Sequence, residues 1–279
     1  MGSNVLIGLG GLGLIVAATV AMGTSTNDMQ QGGLPAGAAE AVARLKASPR
    51  HGEWVMVKSG SDSVKAWLVY PERRTSAPVV VVIHEIYGLS NWVRGVADQL
   101  AADGFIAIAP DLQTMQNVPQ TAEGEPDRGA AQAAIRTLDM NTAQRMARAS
   151  ADYAMALPSA VKKYGIVGYC WGGTFVWNHA IAYPDLGAAV SYYGSTPSPP
   201  PYASIKAPIL GLYGSNDARV NNTIPRADSA MTALNKKYEH KTYEGAGHGF
   251  LRAQEQAPNL EATRQAWPAT IAWFRANLR

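Results

Sequence analysis

The sequence predicts an α/β protein with a doubly wound, mostly parallel sheet and an antiparallel N-terminal hairpin. Three observations carry this prediction. Apolar segments of strand length alternate with segments of helical length. Residues 79–83 are continuously apolar, which is typical of a strand buried on both faces of a sheet. Glycine-containing loops follow several strands, and we expect the reactive residues on these loops, at the carboxyl edge of the sheet.

The hairpin comes first, because residues 54–58 and 64–70 are strand-like and the intervening Ser-Gly-Ser-Asp sequence favours a turn. Each later strand is a short apolar run that ends at a polar or glycine-containing loop. These strands are residues 79–83, 105–109, 164–167, 188–193, 209–213 and 239–243. The segments with helical pattern are residues 38–47, 92–102, 128–137, 141–156, 174–182 and 261–277.

The first 37 residues differ in composition from the rest. Residues 5–22 are apolar or small and carry no charge, and a glycine-rich polar stretch follows them. This length suits a secretory signal or a membrane anchor, although a positive region before it is missing; an unprocessed extension is the alternative. We expect residues 1–37 to be a signal or anchor with a flexible linker, and residues 38–279 to be one catalytic domain. An exported, periplasmic or membrane-anchored location is favoured over the cytoplasm, with membrane association through the N-terminus only.

Composition limits the classes of partner. The net charge is only +3 and no run of Lys and Arg occurs, so nucleic acid is not an expected partner. Cys170 is the only cysteine, which rules out an intramolecular disulfide. Cysteine and histidine do not cluster at zinc-ligand spacing, so we expect neither a metal nor an organic cofactor. His51, His179 and His240 stand alone and are interpreted as packing residues.

The most informative motif is Gly-Tyr-Cys-Trp-Gly-Gly at residues 168–173. It has the form of a nucleophile elbow, G-x-S-x-G, with Cys170 in the serine position, and it lies between a predicted strand and a predicted helix. The N-terminus of a helix favours a thiolate, which makes Cys170 a candidate nucleophile. The alternative is that Cys170 is a small buried apolar residue, as most free cysteines are.

Two later loops favour the catalytic interpretation. Asp217 follows the predicted strand 209–213, and His248 lies in the Gly-Ala-Gly-His-Gly sequence after the strand 239–243. The order nucleophile, acid, histidine is that of the α/β-hydrolases. A histidine held by a carboxylate can take a proton from a thiol or from water, so Cys170, Asp217 and His248 are the expected catalytic triad.

An oxyanion formed at an ester carbonyl needs backbone donors placed in advance. The N–H of Trp171, the residue after the nucleophile, is one candidate by the geometry of the elbow. The second donor is expected in the loop after the strand 79–83, and the N–H of Ile86 is the candidate.

These motifs, with His-Glu-Ile-Tyr-Gly at residues 84–88 and Tyr-Tyr-Gly at residues 192–194, are similar to those of the dienelactone hydrolases (carboxymethylenebutenolidases). The resemblance extends from about residue 53 to the C-terminus. It implies the α/β-hydrolase fold and cleavage of a lactone or small ester through a thioester acyl-enzyme, without a cofactor. The expected partner is therefore a small-molecule ester or lactone.

The resemblance also implies roles for individual residues. Glu85 accepts the proton of the resting Cys170 thiol when substrate displaces it. Arg128 stands where the family has an arginine that binds the substrate carboxylate, and Tyr87 and Tyr193 are expected to contact the substrate. Gln132 and Ile135 stand where the family has an aromatic residue, and Trp171 replaces the usual leucine, so the identity of the ester is left open.

Two alternatives share these residues. A thioesterase or acyltransferase could use the same elbow. A binding protein that kept the fold without turnover is the alternative from a different class, but such a protein has no physical need for the complete Cys, Asp and His set.

Overall fold

The computed structural model describes residues 1–2, 33–198 and 201–279. One eight-stranded sheet is its centre. The strands are β1 (Gly52–Ser59), β2 (Asp62–Val69), β3 (Ala77–Ile83), β4 (Ile106–Pro110), β5 (Ala160–Tyr169), β6 (Ala188–Tyr192), β7 (Ile209–Asn216) and β8 (Tyr238–Gly247). The helices are α1 (Ala41–Lys46), α2 (Asn91–Ala102), α3 (Arg128–Thr137), α4 (Met140–Ala156), α5 (Trp171–Ala182), α6 (Ala218–Asn221), α7 (Ile224–Ala233) and α8 (Ala257–Asn277).

The strand order is β1-β2-β4-β3-β5-β6-β7-β8. The hairpin β1–β2 is antiparallel and β2 pairs with β4 antiparallel, while every pair from β4 through β3 to β8 is parallel. The predicted fold class is therefore confirmed. The carboxyl ends of β3, β5, β7 and β8 share one edge of the sheet, and each leads into a loop that carries a candidate residue.

Helices cover both faces of the sheet, as the parallel strands require. One core joins α2 and α8 to strand residues such as Val80 and Val82. The other joins α4, α5 and α7 to the alternate residues Val79 and Val81. Because side chains alternate along a strand, the continuous apolar run of β3 supplies both cores.

Several elements extend beyond the predicted bounds. Helix α5 begins at Trp171 rather than at residue 174, since Cys170 itself occupies the position before its first turn. Strand β5 begins at Ala160, and β8 continues to Gly247. Helix α7 was not predicted at all; it has Pro225 in its first turn, a position that proline tolerates.

The N-terminal side of the domain also differs from the expected boundary. Leu34 packs against the core that contains α2 and α8, and the following residues contact that part of the domain as well, although residues 33–37 were expected to be linker. The predicted signal or anchor at residues 5–22 lies outside the described residues. Within the described part of the chain, no helix has the length and apolar character needed to cross a membrane.

Candidate active site

The elbow has the geometry that its motif predicts. Cys170 lies between β5 and α5 with φ +56° and ψ −115°, a strained conformation for a residue with a side chain. Its N–H donates to the carbonyl of Tyr192 at 3.1 Å, and its carbonyl accepts from Gly173 N–H at 3.0 Å. A Cβ at Gly168 would lie 2.1 Å from the carbonyl oxygen of Gly172, so only glycine permits this close approach.

Asp217 and His248 meet although 31 residues separate them in the chain. Asp217 follows β7 and is 7% exposed, whereas His248 follows β8 with its side chain 32% exposed. His248 Nδ1 lies 2.5 Å from Asp217 Oδ2. Since the carboxylate holds the proton on Nδ1, Nε2 is left as the acceptor, which is the arrangement that general-base catalysis needs.

Burial and a neighbouring carboxylate favour the thiol form of Cys170. The pKa of Cys170 is raised to about 11, first by burial and then by the negative charge of Glu85. The Trp171 N–H lowers the pKa of the thiol, but by less. The helix N-terminus therefore acts in the expected direction, and burial together with Glu85 outweighs it.

Glu85 lies in the loop after β3 and is 4% exposed. Its Oε2 forms an ion pair with Arg252 Nε at 2.9 Å. Burial raises the pKa of Glu85 to about 7, although Arg252 and Arg128 act in the opposite direction. A carboxyl group with this pKa exchanges a proton readily at neutral pH, as a general base must.

Arg252 is the site residue that sequence reasoning missed. It lies four residues after His248, in the loop between β8 and α8, and only the folded loop brings it to Glu85. The four-residue spacing from His248 could have suggested Arg252 as a site residue. A single arginine on a loop does not by itself predict a role in the site.

Two of the predicted substrate contacts lie together at the mouth of the site. The guanidinium carbon of Arg128 lies 4.0 Å from the centre of the Tyr87 ring, and that of Arg252 lies 5.5 Å from the same ring. Both arginines are within the range of cation–π attraction. The Tyr87 ring therefore stabilises the guanidinium groups of two arginines that line the same cavity.

Tyr193 is placed differently from the expected substrate contact. It is fully buried, with φ +39°, and its ring meets the edge of the His248 ring at 5.1 Å. Phe250 packs against it at 5.3 Å. In this structure Tyr193 packs against the imidazole of His248 and does not line the cavity described below.

The two predicted oxyanion donors are the N–H groups of Ile86 and Trp171. Neither Ile86 N–H nor Trp171 N–H donates to a protein oxygen in the described part of the chain. The Trp171 N–H interacts with the Cys170 sulphur and lowers the pKa of the thiol. Neither N–H is therefore committed to a protein oxygen.

His84 fixes the orientation of the Ile86 donor. Leu112 N–H donates to His84 Nε2 at 3.3 Å, so the proton is on Nδ1, which donates to the Glu85 carbonyl at 2.7 Å. Burial lowers the pKa of His84, which is consistent with this neutral form. Because the Glu85 carbonyl and the Ile86 N–H belong to one planar peptide unit, a bond to the first orients the second.

A cavity of about 330 Å³ opens beside this constellation. Tyr87, Arg128 and Arg252 form part of its wall, whereas Cys170 and His248 do not. Arg252 lines the cavity, and its ion-pair partner Glu85 is close enough to Cys170 to raise the pKa of the thiol. The Glu85–Arg252 ion pair therefore links the cavity to the nucleophile. Among the described residues, no group of three or more His, Cys, Asp or Glu side chains could hold a metal ion.

Comparison with known proteins shows which family this chain belongs to. Residues 64–278 match the model of the dienelactone hydrolase family. A Yersinia pestis protein named "putative carboxymethylenebutenolidase" is 30% identical over 241 residues, covering 78% of this chain and 85% of its own length. The protein of the same name from Escherichia coli K12 is 29% identical over 239 residues, with 78% and 84% coverage.

Solved structures agree with the sequence comparison. The structure named "putative dienelactone hydrolase" from Klebsiella pneumoniae superposes with a TM-score of 0.70 at 26% identity, covering 81% of this chain and 98% of that one. The dienelactone hydrolase of Anabaena variabilis shares the fold with a TM-score of 0.61 at 22% identity, covering 82% and 99%. With most of its domain matched by the family model, this chain belongs to the dienelactone hydrolase family of α/β-hydrolases.

Proposed function

We propose that the protein hydrolyses a lactone or small ester through nucleophilic attack by Cys170, with a thioester acyl-enzyme as intermediate. The observation that carries the proposal is the convergence of a strained elbow cysteine with the Asp217–His248 pair at one sheet edge. Covalent acyl transfer needs a nucleophile, a base and a group that orients the base. Here each of the three comes from a separate loop.

Activation begins at Glu85. With a pKa raised to about 7, its carboxylate can accept the proton of the Cys170 thiol once a substrate draws Arg252 away from it. The thiolate then attacks the ester carbonyl, and a sulphur–carbon bond forms. The N–H groups of Ile86 and Trp171 stabilise the oxyanion.

Collapse of the oxyanion breaks the bond between the carbonyl carbon and the ester oxygen. The leaving oxygen takes the proton that came from the thiol, and the acyl group stays on Cys170. His248 then removes a proton from water as the water attacks the thioester, while Asp217 stabilises the imidazolium. The proton returns to sulphur as the carboxylic acid leaves, which restores the resting enzyme.

The substrate is expected to carry a carboxylate. Arg128 and Arg252 direct two guanidinium groups toward one cavity, and a guanidinium matches both oxygens of a carboxylate. A carboxylate bound there competes with Glu85 for Arg252, so binding and activation are coupled.

Turnover of 4-nitrophenyl acetate and of simple lactones tests the proposal, with wild type compared to Cys170→Ala. The variant is expected to retain its fold and to lose at least about 10³-fold in kcat/KM. Iodoacetamide should inactivate the wild type, and substrate should protect it. Equal turnover by the two proteins would refute Cys170 as the nucleophile.

We also propose that the segment before the domain, which contains residues 5–22, directs export or anchors the enzyme to a membrane. The support is the uncharged apolar run at residues 5–22. Cell fractionation with mass measurement of the mature chain should find it processed or membrane-associated. A full-length chain in the cytoplasmic fraction would refute this part of the proposal.

A further inference from the structure

The cavity beside the active site has a wall that the family match does not include. Ala38 and Val42 line it, and both precede residue 64, where the match to the family model begins. They belong to a segment of residues 34–42, named here the strap, that lines the cavity and leads into α1. Trp92, the second residue of α2, forms the adjoining part of the wall.

The strap is fixed at three points. Ala38 N–H donates to the carbonyl of Arg252 at 2.9 Å. The indole N–H of Trp92 donates to the carbonyl of Ala36 at 3.1 Å, and the amide of Gln254 donates to the carbonyl of Pro35 at 2.9 Å. The strap is therefore hydrogen-bonded to the loop that carries Arg252, and both segments line the cavity.

The residues that line the cavity differ in chemistry. Arg128 and Arg252 are positively charged and lie over the Tyr87 ring. Ala38 and Val42 of the strap and the ring of Trp92 add apolar surface. Glu125 also lines the cavity, and its Oε2 accepts the N–H of Asn91 at 2.7 Å. At about 330 Å³, the space is within the range of small-ligand sites and larger than a carboxylate alone needs.

We propose that the strap is the outer wall of a subsite that binds the apolar part of a carboxylated substrate, with the carboxylate at the arginines and a compact alkyl group against Ala38, Val42 and Trp92. The inference rests on the proposed function, since it takes Arg128 and Arg252 as the carboxylate-binding pair. It adds the substrate class: carboxylated lactones or small esters with a branched or cyclic apolar substituent, in preference to unsubstituted ones.

Binding of inert carboxylates tests the subsite without any turnover. Acetate and 4-methylpentanoate are titrated against the full-length protein by ligand-observed NMR, which reads millimolar affinities. Each methylene buried against the strap should tighten binding by about fourfold, so 4-methylpentanoate is expected to bind at least about tenfold more tightly than acetate.

Val42→Trp and Ala43→Trp form a matched pair on one helix. Val42 lines the cavity, whereas the neighbouring Ala43 is exposed. Val42→Trp should fill the subsite and remove the advantage of 4-methylpentanoate while acetate affinity stays within about twofold. Ala43→Trp should keep the full advantage, and retained acetate binding reports that both variants are folded.

Equal affinity of the two acids for wild type, or an advantage that survives Val42→Trp, would overturn the subsite. Absence of binding by both acids would overturn it as well, because the arginines would then hold no carboxylate. Neither result bears on the proposed ester hydrolysis through Cys170, which the comparison of wild type with Cys170→Ala tests separately.

Discussion

Two histidines, His248 on the loop after β8 and His179 on helix α5, make similar hydrogen bonds in different surroundings. His248 Nδ1 lies 2.5 Å from Asp217. His179 Nδ1 lies 2.6 Å from the Gln144 amide oxygen. Both rings therefore carry their proton on Nδ1, so the tautomer alone does not distinguish a reactive histidine from a structural one.

The partners and the second nitrogen do distinguish them. His179 is fully buried, its Nε2 is occupied by the Tyr164 hydroxyl at 3.1 Å, and burial lowers the pKa of its imidazole to about 3. His248 has a charged partner, is partly exposed, and has no hydrogen-bond partner at Nε2 among the described residues. A histidine that moves protons needs a charge to stabilise its imidazolium and one nitrogen left open.

The largest expected effect separates these two sites directly. His248→Ala should lower kcat for 4-nitrophenyl acetate by about 10⁴-fold with little change in stability, because it removes the group that accepts the proton of the attacking water. His179→Ala should retain most of its specific activity but lose about 2–4 kcal/mol of unfolding free energy, since Tyr164 and Gln144 lose their partner in the core. Steady-state kinetics and urea denaturation measure the two quantities, and a reversed pattern would break the comparison.

The next effect concerns the charged partner. Asp217→Asn gives His248 the kind of neutral amide partner that His179 already has. We expect a loss of about 10²–10³-fold in kcat, smaller than that of His248→Ala, because some imidazoles still adopt the useful tautomer. Asp217→Glu serves as the control that keeps the charge. Full activity in Asp217→Asn would show that the charge is dispensable.

A smaller effect is expected from Glu85→Gln, which removes the buried carboxyl group. Activity at neutral pH should fall by about 10–100-fold, because the amide cannot accept the thiol proton. The glutamine variant keeps the shape of the side chain, so the loss reports proton transfer.

The same variant gives a pH test with a defined sign. The pKa of Glu85 is raised from 4.5 to about 7 on folding, so the native state binds more protons than the unfolded state between these values. Stability of the wild type should therefore fall as pH rises from about 4.5 to 7, by up to about 3 kcal/mol relative to Glu85→Gln. Denaturation midpoints across this range measure it. A wild-type stability that stays level or rises relative to Glu85→Gln across this range would contradict the raised pKa.

The smallest predicted effect lies at the mouth of the site. Arg128→Ala should cost about tenfold in kcat/KM on a carboxylated lactone, since Arg128 is exposed and screened by solvent. Its neutral counterpart should be cleaved at nearly the wild-type rate. Equal losses on both lactones would assign Arg128 to loop support.

Sequence patterns were sufficient for the sheet and for the elbow. The run at residues 79–83 predicted a doubly buried strand because both faces of β3 are apolar. The elbow was predictable because its glycines are dictated by backbone approaches that no other residue permits. Helix α7 was missed because its apolar stripe is short and Pro225 resembles a loop signal, although proline is tolerated in the first turn.

The contacts that the sequence did not predict are those made between distant loops. Arg252 meets Glu85 across 167 positions of sequence, and nothing local to either residue specifies that pairing. The raised pKa of Cys170 has the same origin, because burial and the Glu85 charge are properties of the assembled site. Local rules placed the helix N-terminus correctly and gave the right sign for its effect on the thiol pKa, but they did not predict the larger opposing effects of burial and Glu85.

The central claim is that Cys170 carries the acyl group, and mass spectrometry tests it most directly. Wild-type enzyme mixed with 4-nitrophenyl acetate and quenched in acid should gain the mass of one acetyl group on the peptide that contains Cys170. Neutral hydroxylamine, which cleaves thioesters, should remove it. His248→Ala, impaired in the water step, should accumulate more of the adduct during prolonged incubation. An enzyme that turns over the ester with no acyl group on Cys170, or with the acyl group on another residue, would contradict the account.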